Sequence, residues 1–450
     1  MNISIITLGC RVNQYESDAM AELLSAAGYS ITSDPSIADV CIVNTCTVTN
    51  IADRKSRQML SKAHRLNPDA KLIAAGCWSQ RSPEQAANID GVDAVLGSTD
   101  RSKIVEIIEE LFNTPVEDGA DTLGEDSESI NFKIHTRDIM RETEFEELSA
   151  ARVGRIRAYL KIQDGCNKFC TYCAIPYARG RLRSRSLASV RSEAEKLNAE
   201  GFVEVVLTGI HLMSYGVDFK DGTNIADAVN CFSGLENIMR IRFGSLEPHL
   251  MTDEIIAELA KEKRICRQFH LSLQSGSDTV LERMNRGYTS KQYIEICDSL
   301  RKAFGEDTAI TTDIIAGFPG ETEKEHLETI AFMKAVPLAR AHIFPYSRRS
   351  GTKAAAMPDQ LSNAEKSRRA GELIAVSREL ERAYISMYLG RVETVLVEET
   401  ENGASFGCTD TYVKAIIDTE LPPNTLARVQ IEKIKEENDG ELSLLSHRIG

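Results

Sequence analysis

The 450-residue chain is predicted to be an α/β protein in three parts: an N-terminal parallel sheet, a central partial (β/α)6 barrel and a small C-terminal all-β barrel. Three observations predict this. Short apolar runs alternate with helical runs over residues 1–100. After an acidic, Gly- and Ser-containing stretch the alternation resumes for six more units. Beyond one long helical run, five short strands separated by turn signals complete the chain.

The first strands are expected at Ile3–Leu8, Asp39–Asn44 and Lys71–Ala75, with Ala94–Leu96 as a fourth, and helices at Asn13–Ala27 and Ile51–Arg65. Strand–helix–strand units of this length make a parallel sheet with right-handed crossovers. EDGADTLGEDSES (117–129) reads as a flexible acidic connector. The next strands are expected at Ala158–Gln163, Val203–Thr208, Arg240–Leu246, Gln268–Gln274, Ala309–Ala316 and Arg340–Tyr346. Helices Ser186–Ala199, Asp253–Lys263, Lys291–Phe304 and Glu321–Ala335 lie between them. Six units leave a barrel open on one side, with polar residues at the strand ends facing the mouth. A helix over Asn363–Leu389 leads to strands at Val392–Glu399, Ala404–Cys408, Tyr412–Asp418, Leu426–Ile434 and Glu441–Ser446, a small barrel of the oligonucleotide-binding kind. Domains are expected over 1–135, 136–375 and 376–450.

The apolar fraction of 42% suffices for ordinary cores. No run of about 18 apolar residues suggests a membrane span, and Met1–Gly9 lacks a basic leader and cleavage site. Eleven cysteines in a chain this long do not resemble a secreted disulfide framework. A cytoplasmic protein, expected to be a monomer, follows. The net charge of −14 is unevenly spread. Glu106 to Glu147 holds 14 acids and 3 Lys/Arg, whereas Arg152 to Arg191 holds 10 Lys/Arg and one acid, Asp164. Local charge decides what partner a surface attracts.

That basic stretch surrounds GCNKFCTYC, in which Cys166, Cys170 and Cys173 place three thiols on one loop after the first barrel strand. A second triplet, Cys10, Cys46 and Cys77, closes three apolar runs: ISIITLGC, VCIVNTC and KLIAAGC. In a parallel sheet, sites form beyond the carboxyl ends of the strands, so these three thiols are expected on one rim. A four-iron cluster held by three cysteines keeps one iron open for an amine and a carboxylate together, as at the methionine end of S-adenosylmethionine. The competing zinc site needs a fourth ligand, and the tight loop contains no histidine. Phe169 and Tyr172 are placed to shield such a cluster, and Trp78 to pack beside the second triplet.

This segment resembles the radical S-adenosylmethionine enzymes. With LGCRVNQYES, NTCTVTN and AGCWSQ, the whole chain resembles their methylthiotransferase family: an N-terminal methylthiotransferase domain, a radical barrel and a C-terminal TRAM barrel. NTCTVTNIADRKSRQ, KIQDGCNKFCTYCAIPYARGRLRSR, VVLTGIHLMSYG and HIFPYS resemble the branch acting on N6-threonylcarbamoyladenosine in tRNA. The resemblance implies two 4Fe-4S clusters. Cys166, Cys170 and Cys173 would hold the one that cleaves S-adenosylmethionine to a 5′-deoxyadenosyl radical, which takes hydrogen from adenine C2. Cys10, Cys46 and Cys77 would hold an auxiliary cluster whose sulfur, methylated by a second S-adenosylmethionine, passes to C2. An aromatic C–H of this kind is beyond ordinary acid–base chemistry. The implied partners are a tRNA anticodon loop and a flavodoxin- or ferredoxin-like electron donor. Rival readings are the same chemistry on isopentenyladenosine tRNA or a ribosomal-protein aspartate, or a non-catalytic iron–sulfur electron carrier or scaffold.

In this class the strand-end residues Gly209, Ser245, Glu247, Gln274, Asp313 and Phe344 line the cofactor pocket. Arg179, Arg181, Arg183 and Arg185 alternate with smaller residues beyond the cluster loop. In an extended segment they would share one side and meet phosphates, or else pair with the acidic connector. Ser386 to Gly450 carries 12 acids and 6 Lys/Arg, which suits an RNA-binding barrel poorly. His211, His249, His270 and His342 are expected as pocket or core residues, and Cys41, Cys231, Cys266, Cys297 and Cys408 as buried small residues.

Overall fold

The computed structural model describes residues 1–113, 134–150, 156–437 and 440–449. They form two compact units interleaved in sequence. One comprises Met1–Val153, Gln163–Arg185 and Ser347–Ala355; the other comprises Gly154–Ile162, Ser186–Tyr346 and Ala356–Gly450. The acidic connector EDGADTLGEDSES, and Asn438 and Asp439 of the last expected turn, lie outside the described residues.

In the first unit, six parallel strands stand in the order β2-β1-β3-β4-β5-β6. They are β1 (Asn2–Thr7), β2 (Ser30–Thr32), β3 (Val40–Thr45), β4 (Lys71–Gly76), β5 (Val92–Leu96) and β6 (Ile134–His135). The helices are α1 (Arg11–Ala26), α2 (Asn50–Leu66), α3 (Cys77–Arg81), α4 (Pro83–Ala87) and α5 (Ile104–Asn113). Because side chains alternate across a strand, the sheet has two apolar faces. Ile3, Ile42, Ile73 and Leu96 pack with Met20 and Leu24 of α1 and Ile104 and Ile108 of α5. Cys41, Val43, Leu72, Ala74 and Val95 pack with Leu60 and Ala63 of α2 and Ala86 of α4. β1 and β3 are neighbours from which the chain departs to opposite sides. In a doubly wound sheet the crevice beyond the carboxyl ends of such a pair is where ligands bind.

The second unit carries the partial barrel. Arg157–Lys161, Glu204–Thr208 and Arg240–Phe243 pair in parallel, and Ser245–Leu246, Gln268–Leu271, Ala309–Ala316 and Arg340–Pro345 continue in parallel. Gly244 divides the third strand between the two sheets. Val190, Leu197, Ile256, Leu300 and Phe332, from helices outside the arc, pack against Leu160, Leu207, Phe269 and Ile310. The 24-residue helix Asn363–Ser386 leads to a closed antiparallel-rich barrel of Val392–Glu401, Ala404–Thr409, Lys414–Ile417, Leu426–Glu436 and Leu442–Arg448.

This small barrel is fastened to the amino-terminal ends of the parallel strands. Arg157 reaches Glu204 at 2.6 Å and Glu398 at 2.7 Å. Arg240 donates to the carbonyls of Thr394 (2.6 Å) and Cys408 (3.1 Å). Arg267 pairs with Asp410 at 2.7 Å, and the Arg242 and Arg157 guanidinia lie over the Tyr412 ring. These anchors stand at the opposite end of the strands from the mouth. Among the described residues no helix is long and apolar enough to cross a membrane.

Candidate functional site

In the first unit Cys10, Cys46 and Cys77 follow β1, β3 and β4 on one rim. The backbone shapes that rim. Gly9 has φ +102°, and a Cβ there would stand 2.9 Å from the Cys46 Sγ. Gly76, at φ +93°, would meet the Asn44 side chain at 2.3 Å. Neither turn admits a side chain without displacement. Cys10 is the N-cap of α1, at the end of the helix that carries partial positive charge. Asn13, one turn on, donates to the carbonyls of Leu8 (2.8 Å) and Thr45 (2.9 Å), tying the β1 and β3 ends together. Its Oδ1 faces the thiols of Cys10 (3.8 Å) and Cys77 (3.7 Å).

The deciding side chain is Arg179. Its Nε donates to the Cys77 Sγ at 3.0 Å, and one terminal nitrogen donates to Asn13 Oδ1 at 2.6 Å and Glu16 Oε2 at 2.9 Å. Glu16 also lies 3.0 Å from Arg101, and all three charged side chains are wholly buried. Burial pushes the Cys77 thiol up, an effect that Arg179 opposes. Burial, then the neighbouring Cys77, pushes Cys46 up to about 12. Cys10 is exposed.

Arg179 ends the helical turn Ile175–Arg179 that follows the tight triplet. The loop of that triplet closes when the Cys166 N–H donates to the Gly180 carbonyl at 3.0 Å. Gly165 is required there: at φ +69°, a Cβ would meet the Arg181 carbonyl oxygen at 1.8 Å. The Lys168 N–H donates to the Cys166 Sγ at 3.4 Å, and Phe169 takes φ 49° to tighten the turn. Cys166, Cys170 and Cys173 are all half-buried, as are Phe169 and Tyr172. Trp78 lies in the core beside α2 with the Arg57 guanidinium 5.8 Å from its ring. Among the described residues no three His, Cys, Asp or Glu side chains are gathered tightly enough for one metal ion.

The expected phosphate-facing row of arginines is corrected by this geometry. The segment 179–185 is not one extended strand, so alternation does not put the four side chains on one side. Arg179 is internal. Arg183 is buried 3.7 Å from Asp164, and Arg185 is buried against Glu147 (3.0 Å) and Tyr15 (3.3 Å). Arg181 alone is exposed, stacked 5.0 Å over Phe169. Asn13, Glu16 and Arg101 were not singled out in the sequence. For Asn13 and Glu16 the signal is their spacing from Cys10, which puts all three on one side of a helix that the rim cysteine starts; Arg101, outside that helix, carries none.

In the second unit the barrel mouth holds the strand-end residues. Glu247 is buried and pairs with Arg286 (2.6 Å) and His249 (3.2 Å), with His211 at 3.8 Å. Burial would raise its carboxyl, but these partners hold it below the usual value. The Ser245 hydroxyl meets Ser272 at 2.7 Å. Gln274, at φ 77°, bonds through its backbone to Asp313 and Ile315. Asp313 pairs with His270 at 3.2 Å; burial, then His270, lowers the His342 pKa. Gly209 is partly buried and Phe344 exposed. Of the remaining cysteines, Cys41, Cys266, Cys297 and Cys408 are buried and Cys231 partly so.

Residues 160–333 match the radical SAM superfamily, and residues 2–97 match uncharacterized protein family UPF0004. The chain is 41% identical to the threonylcarbamoyladenosine tRNA methylthiotransferase MtaB of Bacillus subtilis (strain 168), over 96% of this chain and 94% of that protein. The chain belongs to the tRNA methylthiotransferase family of radical S-adenosylmethionine enzymes. The MtaB of Aquifex aeolicus (strain VF5) is 36% identical over 89% of this chain and 95% of its own. A tRNA-2-methylthio-N(6)-dimethylallyladenosine synthase of Moorella thermoacetica is 35% identical over 88% and 86%. Among solved structures, the radical S-adenosylmethionine methyltransferase TsrM from Kitasatospora setae, with cobalamin and a [4Fe-4S] cluster bound, matches with a TM-score of 0.55. The match has 15% identity and covers 78% of this chain and 76% of that one, a likeness of fold alone. As a radical S-adenosylmethionine methylthiotransferase, the enzyme belongs to a class that uses a 4Fe-4S cluster and S-adenosylmethionine.

Proposed function

We propose that this methylthiotransferase transfers a methylthio group to C2 of N6-threonylcarbamoyladenosine at position 37 of tRNA, as a cytoplasmic monomer. The observation that carries the reading is the hydrogen bond from Arg179 to Cys77. It joins the loop of one thiol triplet to the rim of the other within one compact unit. The donor sets fit four-iron clusters: three thiols each, the rim with a left-handed glycine leaving open the space beside Cys46. Two such clusters and two molecules of S-adenosylmethionine would supply the radical, the methyl group and the sulfur, given reducing electrons from outside the chain. A flavodoxin- or ferredoxin-like donor fits this requirement.

The chain's own residues do the rest. Cys166, Cys170 and Cys173 would hold one cluster and Cys10, Cys46 and Cys77 the other. Arg179 favours the thiolate form of Cys77, which ligation requires. Glu247, held ionised by Arg286 and His249, offers a fixed negative charge for a cationic or hydroxyl-bearing ligand. Gly209, Ser245, Gln274, Asp313 and Phe344 would complete that pocket. The threonylcarbamoyl substrate is supported by the relatives' names at 41% and 36% identity, against 35% for the dimethylallyl synthase. Nucleoside mass spectrometry of tRNA from a strain lacking the enzyme tests the assignment. Loss of 2-methylthio-N6-threonylcarbamoyladenosine alone is expected; loss of the methylthio-isopentenyl nucleoside instead would overturn it.

A further inference from the structure

With three of the four arginines after the cluster loop internal, the basic surface of this acidic protein lies elsewhere. α2 carries Arg54, Lys55, Arg57, Lys62 and Arg65, all exposed, against one carboxylate. That carboxylate, Asp53, turns inward to Arg349 at 2.8 Å. At about 100° per residue the five cations fall within an arc of about 160°. Ser56, Leu60 and Ala63, the buried residues, lie on the opposite side. Arg54 to Arg65 spans about 16 Å along the axis. None of the five has a carboxylate within ion-pair distance among the described residues, although the chain has 67 acids to 53 Lys/Arg.

The helix starts four residues after Cys46, with Thr49 as its N-cap. At that end Val48 and Ile51 are more than half exposed. Asn50 donates to the main-chain carbonyl of Arg348 at 2.6 Å, and Arg348 adds a sixth exposed cation. The apolar side of α2 is committed to the sheet, so it cannot enter a bilayer as an amphipathic helix does.

We infer that the outer face of α2 is a docking surface for the phosphate backbone of the substrate RNA, leading from the stem towards the Cys10–Cys46–Cys77 rim. A row of cations without carboxylate partners beside a reactive rim suits a polyanion that must bring one base to it. The inference rests on the tRNA reading proposed above.

The test uses the full-length reconstituted enzyme and a tRNA anticodon stem-loop, with Kd measured at several salt concentrations. The variant Arg54→Gln/Lys55→Gln/Lys62→Gln is compared with a charge-matched control, Lys263→Gln/Lys302→Gln/Lys334→Gln, placed on barrel-unit surfaces. The α2 variant is expected to bind on the order of tenfold more weakly at low salt. Its slope of log affinity against log salt should be shallower by about 2–3, given some 0.7–0.9 per phosphate contact. S-adenosylmethionine cleavage without RNA and the melting temperature should match the control. Equal affinity and slope in the two variants would overturn the inference, as would loss of binding to phosphatidylserine vesicles with RNA binding intact. Failure of the unaltered enzyme to bind any stem-loop would instead remove the tRNA reading beneath it.

Discussion

Arg179 touches three partners that no other side chain could serve together. A guanidinium presents five N–H donors in a planar fork, so one arm reaches the Cys77 sulfur while the other grips Asn13 and Glu16. A lysine ammonium at the same place cannot span all three. Removing Arg179 leaves Glu16 with Arg101 alone and takes from buried Asn13 Oδ1 its charged donor, at a cost of roughly 1–3 kcal/mol. Arg179→Met is therefore expected to lower unfolding stability by about that amount in urea titration. Arg179→Lys should keep more of the fold but bind about four fewer irons per chain after anaerobic reconstitution, because the rim loses the donor that favours its thiolate. Full iron content in the lysine variant would show that Arg179 serves the fold alone.

At the scale of elements, most of the architecture was legible because burial wrote itself as pattern. The strand Ala309–Ala316 stands where its apolar run predicts it, and the five C-terminal strands fall within a few residues of expectation. The edge strands Ser30–Thr32 and Ile134–His135 were not foreseen: two- and three-residue strands carry no period to read. The short helices Ile225–Asn230 and Asp278–Arg283 were missed for the same reason. The rim cysteines were legible because topology alone brings strand ends together. The arginines at 179–185 do not form one row, because alternation fixes sides only in an extended chain. Here Gly180, at φ +72°, breaks the segment, and three of the four side chains are buried against the carboxylates of Glu16, Asp164 and Glu147.

For the whole molecule, the placement of the small C-terminal barrel is the informative feature. Its acidic composition argued against a simple RNA-binding role, and its anchors at the amino-terminal ends of the parallel strands give it a structural one. Glu204 is central. Burial would raise its carboxyl, yet Arg242, Arg157 and Arg240 hold it at about 2 against an ordinary 4.5. A carboxyl lowered by folding contributes stability above its unfolded pKa and loses it as pH falls towards the folded one. The native enzyme should thus lose stability between about pH 4.5 and pH 2, beyond that lost by Glu204→Gln. The variant should already be weaker at neutral pH by roughly 3–5 kcal/mol, since three arginines lose their shared partner. Calorimetry of both proteins across this pH range checks the sign. Equal acid sensitivity would show that Glu204 does not carry the acid-dependent part of the stability.

The proposed function divides the six thiols into two sites with separate tasks, one on a loop and one on three strand ends. The most direct measurement follows both tasks in Cys10→Ala, anaerobically reconstituted and reduced, with tRNA bearing the unmodified threonylcarbamoyl nucleoside. 5′-Deoxyadenosine should still form while methylthio transfer is abolished. Methylthio transfer surviving alongside S-adenosylmethionine cleavage would contradict it.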